Sequence, residues 1–108
     1  MKMKLLAAGV MLAFSIGSNA METTNPLLTP SKAPFGAPEF DKIKNEHYLP
    51  AFEAGIAEAK AEIDAITSNQ EEPTFENTVE AMEFSGQTLN KVAGVFYNVM
   101  EAHTNDQM

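Results

Sequence analysis

The residues best suited to chemistry in this sequence are two histidines, a set of carboxylates and a few serines. His47 and His103 are 56 positions apart, and neither belongs to a His-Glu-x-x-His motif, which places two imidazoles on one helix face for zinc. We favour a local structural role at a helix start for His47, and a surface or helix-dipole role for His103. Ligand contact is the alternative for both.

The carboxylates and serines form no recognisable catalytic pattern. Glu58 with Glu62, and Glu76 with Glu80, are spaced four apart on predicted helices and are expected to be solvated charges. No serine of the later chain lies in a Gly-x-Ser-x-Gly turn, and the helical glycines are isolated rather than gathered in a phosphate loop. The serines are Ser31, Ser68 and Ser85, and the glycines are Gly55, Gly86 and Gly94. The sequence therefore predicts no catalytic, cofactor-binding or metal-binding residue in this chain.

Composition excludes several classes of function. The chain has 108 residues, no cysteine, 7 Lys, 15 acidic residues and a net charge of −8. An acidic balance of this size disfavours nucleic-acid binding, because such binding depends on neutralising phosphates with Lys and Arg. The absence of cysteine excludes disulfide scaffolds, thiol catalysis and thiolate metal sites. A hydrophobic content of 44% is typical of a globular chain rather than a disordered acidic tail.

Residues 1–20 have the layout of a secretory signal peptide. Lys2 and Lys4 begin it, an apolar stretch runs from Leu5 to Ile16, and small residues flank Asn19 before a predicted cleavage after Ala20. That stretch is too short for the roughly 20 residues that a membrane-spanning helix needs. We therefore expect an exported protein, periplasmic or secreted, with no membrane association after cleavage. An uncleaved anchor is the weaker alternative.

Residues 21–44 are predicted to form an extended Pro-rich arm. Four of the six prolines lie between Pro26 and Pro38, and each proline restricts its own φ and the residue before it. The arm carries the apolar residues Leu27, Leu28, Phe35 and Phe40, so we expect it to lie across a surface. A flexible leader is the alternative.

Two amphipathic helices are predicted after the arm, at about 47–67 and 77–102. The first has one apolar stripe, and Pro50 is expected in its first turn, where a missing N–H costs little. The stripe is Tyr48, Phe52, Ile56, Ala59, Ile63 and Ile66. The second is predicted to begin with an Asn77–Glu80 capping box, with Thr74 as the competing N-cap.

The second helix carries more apolar surface than one partner helix can cover. Its heptad-like seam is Val79, Met82, Gly86, Leu89, Ala93, Phe96 and Met100, and a second stripe beside it is Val92, Val95 and Val99. The small seam residues Gly86 and Ala93 are expected to allow close helix approach. Thr104 to Gln107 has capping-box form and predicts a third helix, truncated at Met108. We therefore predict an all-α fold, an antiparallel helical hairpin, in which residues 45–108 begin the helical region of a larger protein.

Three segments resemble a known family. They are Asn25 to Leu28 with Pro34 to Ile43, then His47 to Gly55, and then Pro73 to Gly86 with Val95 to Asn98 and Ala102 to Asp106. Together they resemble the N-terminal end of bacterial peptidyl-dipeptidases, in the thimet oligopeptidase-like family of zinc metallopeptidases. The Ala-His-Thr-Asn-Asp sequence from Ala102 favours the dipeptidases over the oligopeptidase A relatives.

The resemblance implies an all-helical enzyme divided by a deep channel. Its zinc would be held by two His of a His-Glu-x-x-His motif and a further Glu, and its substrates would be short peptides that lose C-terminal dipeptides. No zinc-binding or catalytic residue can be carried onto this sequence, so the chain alone is expected to be inactive. The partner implied is the missing C-terminal part of the same polypeptide. The alternative is a complete small exported helical hairpin that binds a partner through the Val92, Val95 and Val99 face.

Overall fold

The computed structural model describes residues 24–108, which contain helices and turns but no strand. The α-helices are α1 (Asn45–Thr67), α2 (Ala81–Glu83) and α3 (Gln87–His103), with a 3-10 turn at Pro34–Gly36 and a π-helical turn at Phe75–Glu80 that leads into α2. The predicted all-α class is confirmed. The predicted signal peptide, residues 1–20, lies outside the described residues. No helix within residues 24–108 is long and apolar enough to cross a membrane.

The two long helices, α1 and α3, pack as an antiparallel hairpin. The ring centroid of Tyr48, near the start of α1, lies 5.1 Å from the ring centroid of Phe96 in the second half of α3. Gly55, further along α1, lies against Leu89 near the start of α3. The contacts therefore run in opposite directions along the two helices, as the sequence predicted.

The two long helices approach each other closely at Gly55 of α1. A Cβ atom at Gly55 would lie 2.9 Å from the Leu89 Cα and 3.1 Å from the Leu89 nitrogen. Those are backbone atoms, which cannot rotate away as a side chain can, so only glycine fits here. The expectation that Gly86 and Ala93 would provide the close approach is wrong for Gly86, which lies at a break before α3.

Helix α1 begins two residues before the predicted start. Lys44 is its N-cap, and the Lys44 N–H donates to Nδ1 of His47 at 3.0 Å, which confirms a local structural role for His47. Pro50 consequently lies in the second turn rather than the first. Its missing N–H leaves the C=O of exposed Glu46 without an intrahelical partner, and water can satisfy that group. The predicted end at Thr67 is confirmed, with Ser68 as the C-cap.

The start of the second helical region differs from the favoured prediction. Thr74 is the N-cap: its side chain accepts from the Asn77 N–H at 3.0 Å, and Asn77 Oδ1 accepts from the Thr74 N–H at 2.8 Å. Asn77 is thus the N3 partner of a capping box that begins three residues earlier than the Asn77–Glu80 box. The Asn77 side chain is used by the Thr74 N–H, and Glu80 is exposed.

The predicted continuous helix over 77–102 is broken by a turn over residues 84–86. Gly86 has φ 70°, in the left-handed region that glycine enters without steric cost, and it serves as the N-cap of α3. Its N–H donates to Glu62 Oε2 at 2.6 Å, while its C=O accepts from the Asn90 N–H. The heptad-like spacing runs through this break, so apolar periodicity alone concealed it.

The described part of the arm, residues 24–44, is a series of turns rather than the extended segment that the sequence predicted. The Leu28 N–H donates to the Asn25 C=O in one turn, and Phe35 adopts φ 60° in the 3-10 turn at Pro34–Gly36. Of the four apolar side chains expected to lie on a surface, only Leu27 is buried, and Phe35 is fully exposed. Proline stiffens the arm locally, but the turns between the prolines change its direction.

The truncated third helix predicted from Thr104 to Gln107 is not formed within the described chain. Thr104 is extended, and the Gln107 N–H donates to Oδ1 of Asn105 at 3.0 Å rather than to the Thr104 hydroxyl. Asn105 therefore forms an Asx turn, a common alternative to a helix cap.

A pair of glycine substitutions tests the close approach of the helices. Gly55→Ala should lower the free energy of unfolding by about 1–2 kcal/mol, because overpacking against backbone outweighs the better helix propensity of alanine. Gly94→Ala is the matched control: it lies in α3 with nothing within 4 Å of the position that a Cβ would take, so alanine should stabilise by up to about 1 kcal/mol. Denaturant unfolding followed by circular dichroism measures both. A Gly55→Ala protein at least as stable as the parent would contradict this packing.

Candidate functional site

The buried apolar side chains of the structure lie at the junction where the arm packs against α1 and α3. Its buried cluster consists of Leu27, Tyr48, Ala51, Val92 and Val95. Leu27 is 1% exposed and Val92 is completely buried, so the arm residue fills a gap between α1 and α3. Two of the three valines in the second stripe of α3, Val92 and Val95, are therefore buried in a cluster with Leu27 of the arm and with Tyr48 and Ala51 of α1.

Asn25 holds the arm in place through both polar atoms of its side-chain amide. Its Nδ2 donates to the His47 C=O at 2.8 Å, and its Oδ1 accepts from the Leu27 N–H at 3.0 Å. A second link is made by Lys91, whose Nζ donates to the Thr29 C=O at 3.1 Å. Asn25 was not identified from the sequence, although an Asn-Pro pair is a common signal for turn initiation.

A half-open groove of about 740 Å³ lies beside this junction, between the arm, α1 and α3. Its apolar residues are Pro38, Phe40, Ile43, Tyr48, Val99 and Ala102, and its polar residues are Asn45, Asn98, His103 and Asn105. Asn45 Nδ2 donates to Asn105 Oδ1 and to Gln107 Oε1, both at 2.9 Å, and so ties the start of α1 to the turn after α3. The groove thus sets amide and imidazole groups beside apolar walls.

The two histidines have separate positions. His47 caps α1 and lines a small depression with Asn25, whereas His103 is exposed on the last turn of α3 at the edge of the groove. His103 is thus at the negative end of the helix dipole, as predicted. No group of three His, Asp or Glu residues within 24–108 could hold a metal ion.

The carboxylates follow the sequence prediction with one exception. Glu58, Glu76 and Glu80 are exposed, as expected of solvated charges. Glu62 of α1 is half-buried, and its Oε2 accepts a hydrogen bond from the Gly86 N–H at 2.6 Å. This bond joins α1 to the residue just before α3, so Glu62 is not simply a solvated charge. Sequence spacing could not identify this contact, because the two residues are 24 positions apart.

The serines take part in local turns. Ser31 Oγ donates to the Ala37 C=O at 2.5 Å, and Ser85 Oγ donates to the Met82 C=O at 2.7 Å. Neither hydroxyl is paired with a histidine or carboxylate in the part of the chain that the structure describes. Nucleophilic catalysis by a base-activated serine is therefore not supported by these residues.

Burial changes the ionisation of one groove residue. Tyr48 is 6% exposed, and burial raises the pKa of its hydroxyl above the usual value of about 10, because the phenolate would be poorly solvated there. The Tyr48 ring also packs edge-on against the Phe96 ring. The Phe96 ring packs in the same way against Phe52, with 5.4 Å between the ring centroids. Of the stretch Val92–Tyr97, which the sequence indicated as core, Val92 and Val95 are buried, whereas Tyr97 is 56% exposed.

Within residues 24–108, the fold is a hairpin of two long helices with the arm packed against them. Two known proteins are similar to this chain. The chain is 48% identical over 88 residues to a dipeptidyl carboxypeptidase of Escherichia coli, covering 82% of this chain and 13% of that protein. It is 46% identical over 86 residues to a dipeptidyl carboxypeptidase of Salmonella typhimurium, covering 80% of this chain and 13% of that protein. No family model matches the chain.

The resemblance to peptidyl-dipeptidases inferred from three segments is confirmed by these two relatives. The chain spans about 13% of the length of the curated relatives it matches, which is consistent with the predicted non-catalytic N-terminal fragment.

Replacing the arm's anchor tests its role in closing the core. Leu27→Ala should cost about 2–5 kcal/mol of the interaction between arm and hairpin, through lost burial and the remaining cavity. Trypsin cleavage after exposed Lys32 should then become faster. Leu28→Ala is the control, since Leu28 is 41% exposed, and it should change cleavage little. Equal cleavage rates for the two variants would show that Leu27 does not anchor the arm.

An alkaline titration tests the environment of Tyr48. The fold favours its neutral form, so this contribution to stability is fully present below the usual pKa of about 10 and is lost as pH rises through the higher folded-state pKa. We expect one tyrosine to ionise late in an absorbance titration of the folded protein, and Tyr48→Phe to remove that late step. Tyr97→Phe should leave it in place; loss of the late step in that variant instead would show that the late step does not belong to Tyr48.

Proposed function

We propose that this chain is the N-terminal, non-catalytic part of an exported zinc metallopeptidase that releases C-terminal dipeptides from short peptides. The observation that carries the proposal is the identity of 46–48% with two proteins named dipeptidyl carboxypeptidase. The match to the second relative takes in 86 of the 108 residues, so it must include residues 23–86, which hold the described part of the arm and α1. The resemblance of the three sequence segments to peptidyl-dipeptidases points the same way.

In this proposal the zinc and the groups that act on the peptide bond lie elsewhere in the polypeptide. Residues 24–108 offer no cluster of three metal-ligating side chains, so the described part of the chain does not fit a zinc site and no catalytic step is assigned to it. The family resemblance implies a His-Glu-x-x-His motif with a further Glu in the remaining sequence. The present residues would instead form part of the wall that restricts the channel to short peptides.

The proposed compartment is outside the cytoplasm, either periplasmic or secreted. Support comes from the basic, apolar and small-residue regions that follow one another over residues 1–20. Many members of the family lack such a segment, so export would give this protein peptides from outside the cytoplasm as substrates.

A second candidate is a complete small exported protein that binds a partner and has no catalytic activity. The buried cluster favours it, since Val92 and Val95 are already covered within residues 24–108, in a cluster with Leu27, Tyr48 and Ala51. The many apolar side chains still exposed on the hairpin weigh against it. These include Leu49, Ile56, Val79, Met82 and Phe84.

A chimeric enzyme tests the peptidase proposal. The matching stretch of the Escherichia coli relative is replaced by the matched residues of this chain, and dipeptide release from a blocked short peptide is measured. We expect activity within about tenfold of the parent, a loss of no more than about 1.4 kcal/mol in transition-state stabilisation, because the replaced part shapes the wall rather than the reacting groups.

The control deletes the same stretch and should abolish folding and activity. A folded chimera that releases no dipeptide would contradict the proposal. The gene itself provides an independent check, since a long continuation encoding His-Glu-x-x-His is expected beyond the codon for Met108. A cooperative, monomeric unfolding transition of residues 21–108 would favour the small binding protein instead.

A further inference from the structure

The short helical segment 75–83, which links the long helices, exposes a regular apolar row. Phe75, Val79 and Met82 are spaced by four and three residues, so they share one face, and they are 66%, 54% and 59% exposed. The capping box at Thr74 and the break at Gly86 fix both ends of this segment. The row is therefore held in a defined conformation although nothing within residues 24–108 covers it.

A row of carboxylates runs beside the apolar row. Glu76, Glu80 and Glu83 each follow one residue after an apolar member, and all three are exposed. None of them forms an ion pair with another residue of the described chain. The same part of the molecule is strongly acidic, because residues 53–83 contain nine acidic residues and one Lys, a net charge of −8.

We propose that segment 75–83 is a docking site for an amphipathic helix that carries Lys or Arg along one side of its apolar stripe. Its apolar residues would cover Phe75, Val79 and Met82, and its cations would pair with the adjacent carboxylates. The helix comes from the remaining part of the same polypeptide, so this inference rests on the proposed function. It deepens that function by assigning the chemistry of an internal contact.

Charge separates this occupant from a second copy of the chain. A symmetric dimer through segment 75–83 would bring six glutamates together, since the same surface would be used on both subunits. Like charges placed opposite each other disfavour such an interface. A basic helix removes the repulsion while it covers the apolar row.

Photochemical cross-linking in the full-length exported protein tests the proposal. A benzophenone-bearing amino acid replaces Val79, the protein is irradiated, and the joined peptide is identified by mass spectrometry. We expect one major product beyond residue 108, at an apolar position with Lys or Arg three or four residues away on the predicted helix. Mixing isotopically labelled and unlabelled protein distinguishes a product within one chain from a product between copies.

Matched charge reversals test the electrostatic part. Glu76→Lys, Glu80→Lys and Glu83→Lys together should reduce the yield of this product about tenfold or more, because cations would then face cations. Asp41→Lys, Glu101→Lys and Asp106→Lys together change the net charge equally at exposed positions outside the segment. This control should keep the yield within about twofold of the parent.

Dipeptide release by the same preparations separates the two proposals. An active enzyme that cross-links to residues 24–108, to a second copy, to an acidic or non-helical segment, or to nothing would overturn the docking inference alone. An equal loss of yield in both triple variants would also overturn it. If the gene encodes no continuation, or the full-length protein releases no dipeptides, the proposed function fails and this inference fails with it.

Discussion

The packing of Gly55 against the backbone of Leu89 is the constraint on which the hairpin depends. A hydrogen at position 55 allows the helices to approach until a Cβ would meet backbone atoms at 2.9 Å. Close approach brings the Tyr48 and Phe96 rings to 5.1 Å. It is also compatible with the 2.6 Å hydrogen bond from Gly86 to Glu62, beyond the contact point in the other direction. A larger side chain at position 55 would separate the helices at the middle of their contact and weaken the interactions on both sides.

The arm completes the core that the two long helices leave open. Leu27 is held by the turn that Asn25 forms and by the hydrogen bond from Asn25 to the His47 carbonyl at the start of α1. The same histidine caps that helix with its ring, so the arm, the cap and the first turn of α1 are connected through one residue. Val92 and Val95 of α3 are buried in the cluster that Leu27 forms with α1 and α3, whereas Val99 stays half-buried at the groove.

The two ends of the hairpin have different surfaces. Near the arm, a small cluster of apolar residues is buried beside the half-open groove, and the amides of Asn45 and Asn105 link the start of α1 to the turn after α3. At the opposite end, segment 75–83 presents exposed apolar and acidic side chains in parallel rows. The similarity to dipeptidyl carboxypeptidases covers about 13% of their length. Exposed apolar side chains are present at both ends, and on segment 75–83 they lie beside a row of carboxylates.

The sequence by itself determined the helical class, the hairpin and the relationship to peptidyl-dipeptidases. Those features depend on local periodicity, on capping residues and on runs of matching residues, which are all present along the chain. Tertiary structure alone decided which glycine allows close contact and where the second helix breaks, because Gly55, Gly86 and Gly94 look alike in a helical pattern. It also decided that Leu27 rather than Phe35 is buried, and that Glu62 is bound rather than solvated. These outcomes depend on contacts between residues that are far apart in the chain. The local spacing of residues in the sequence cannot predict such contacts.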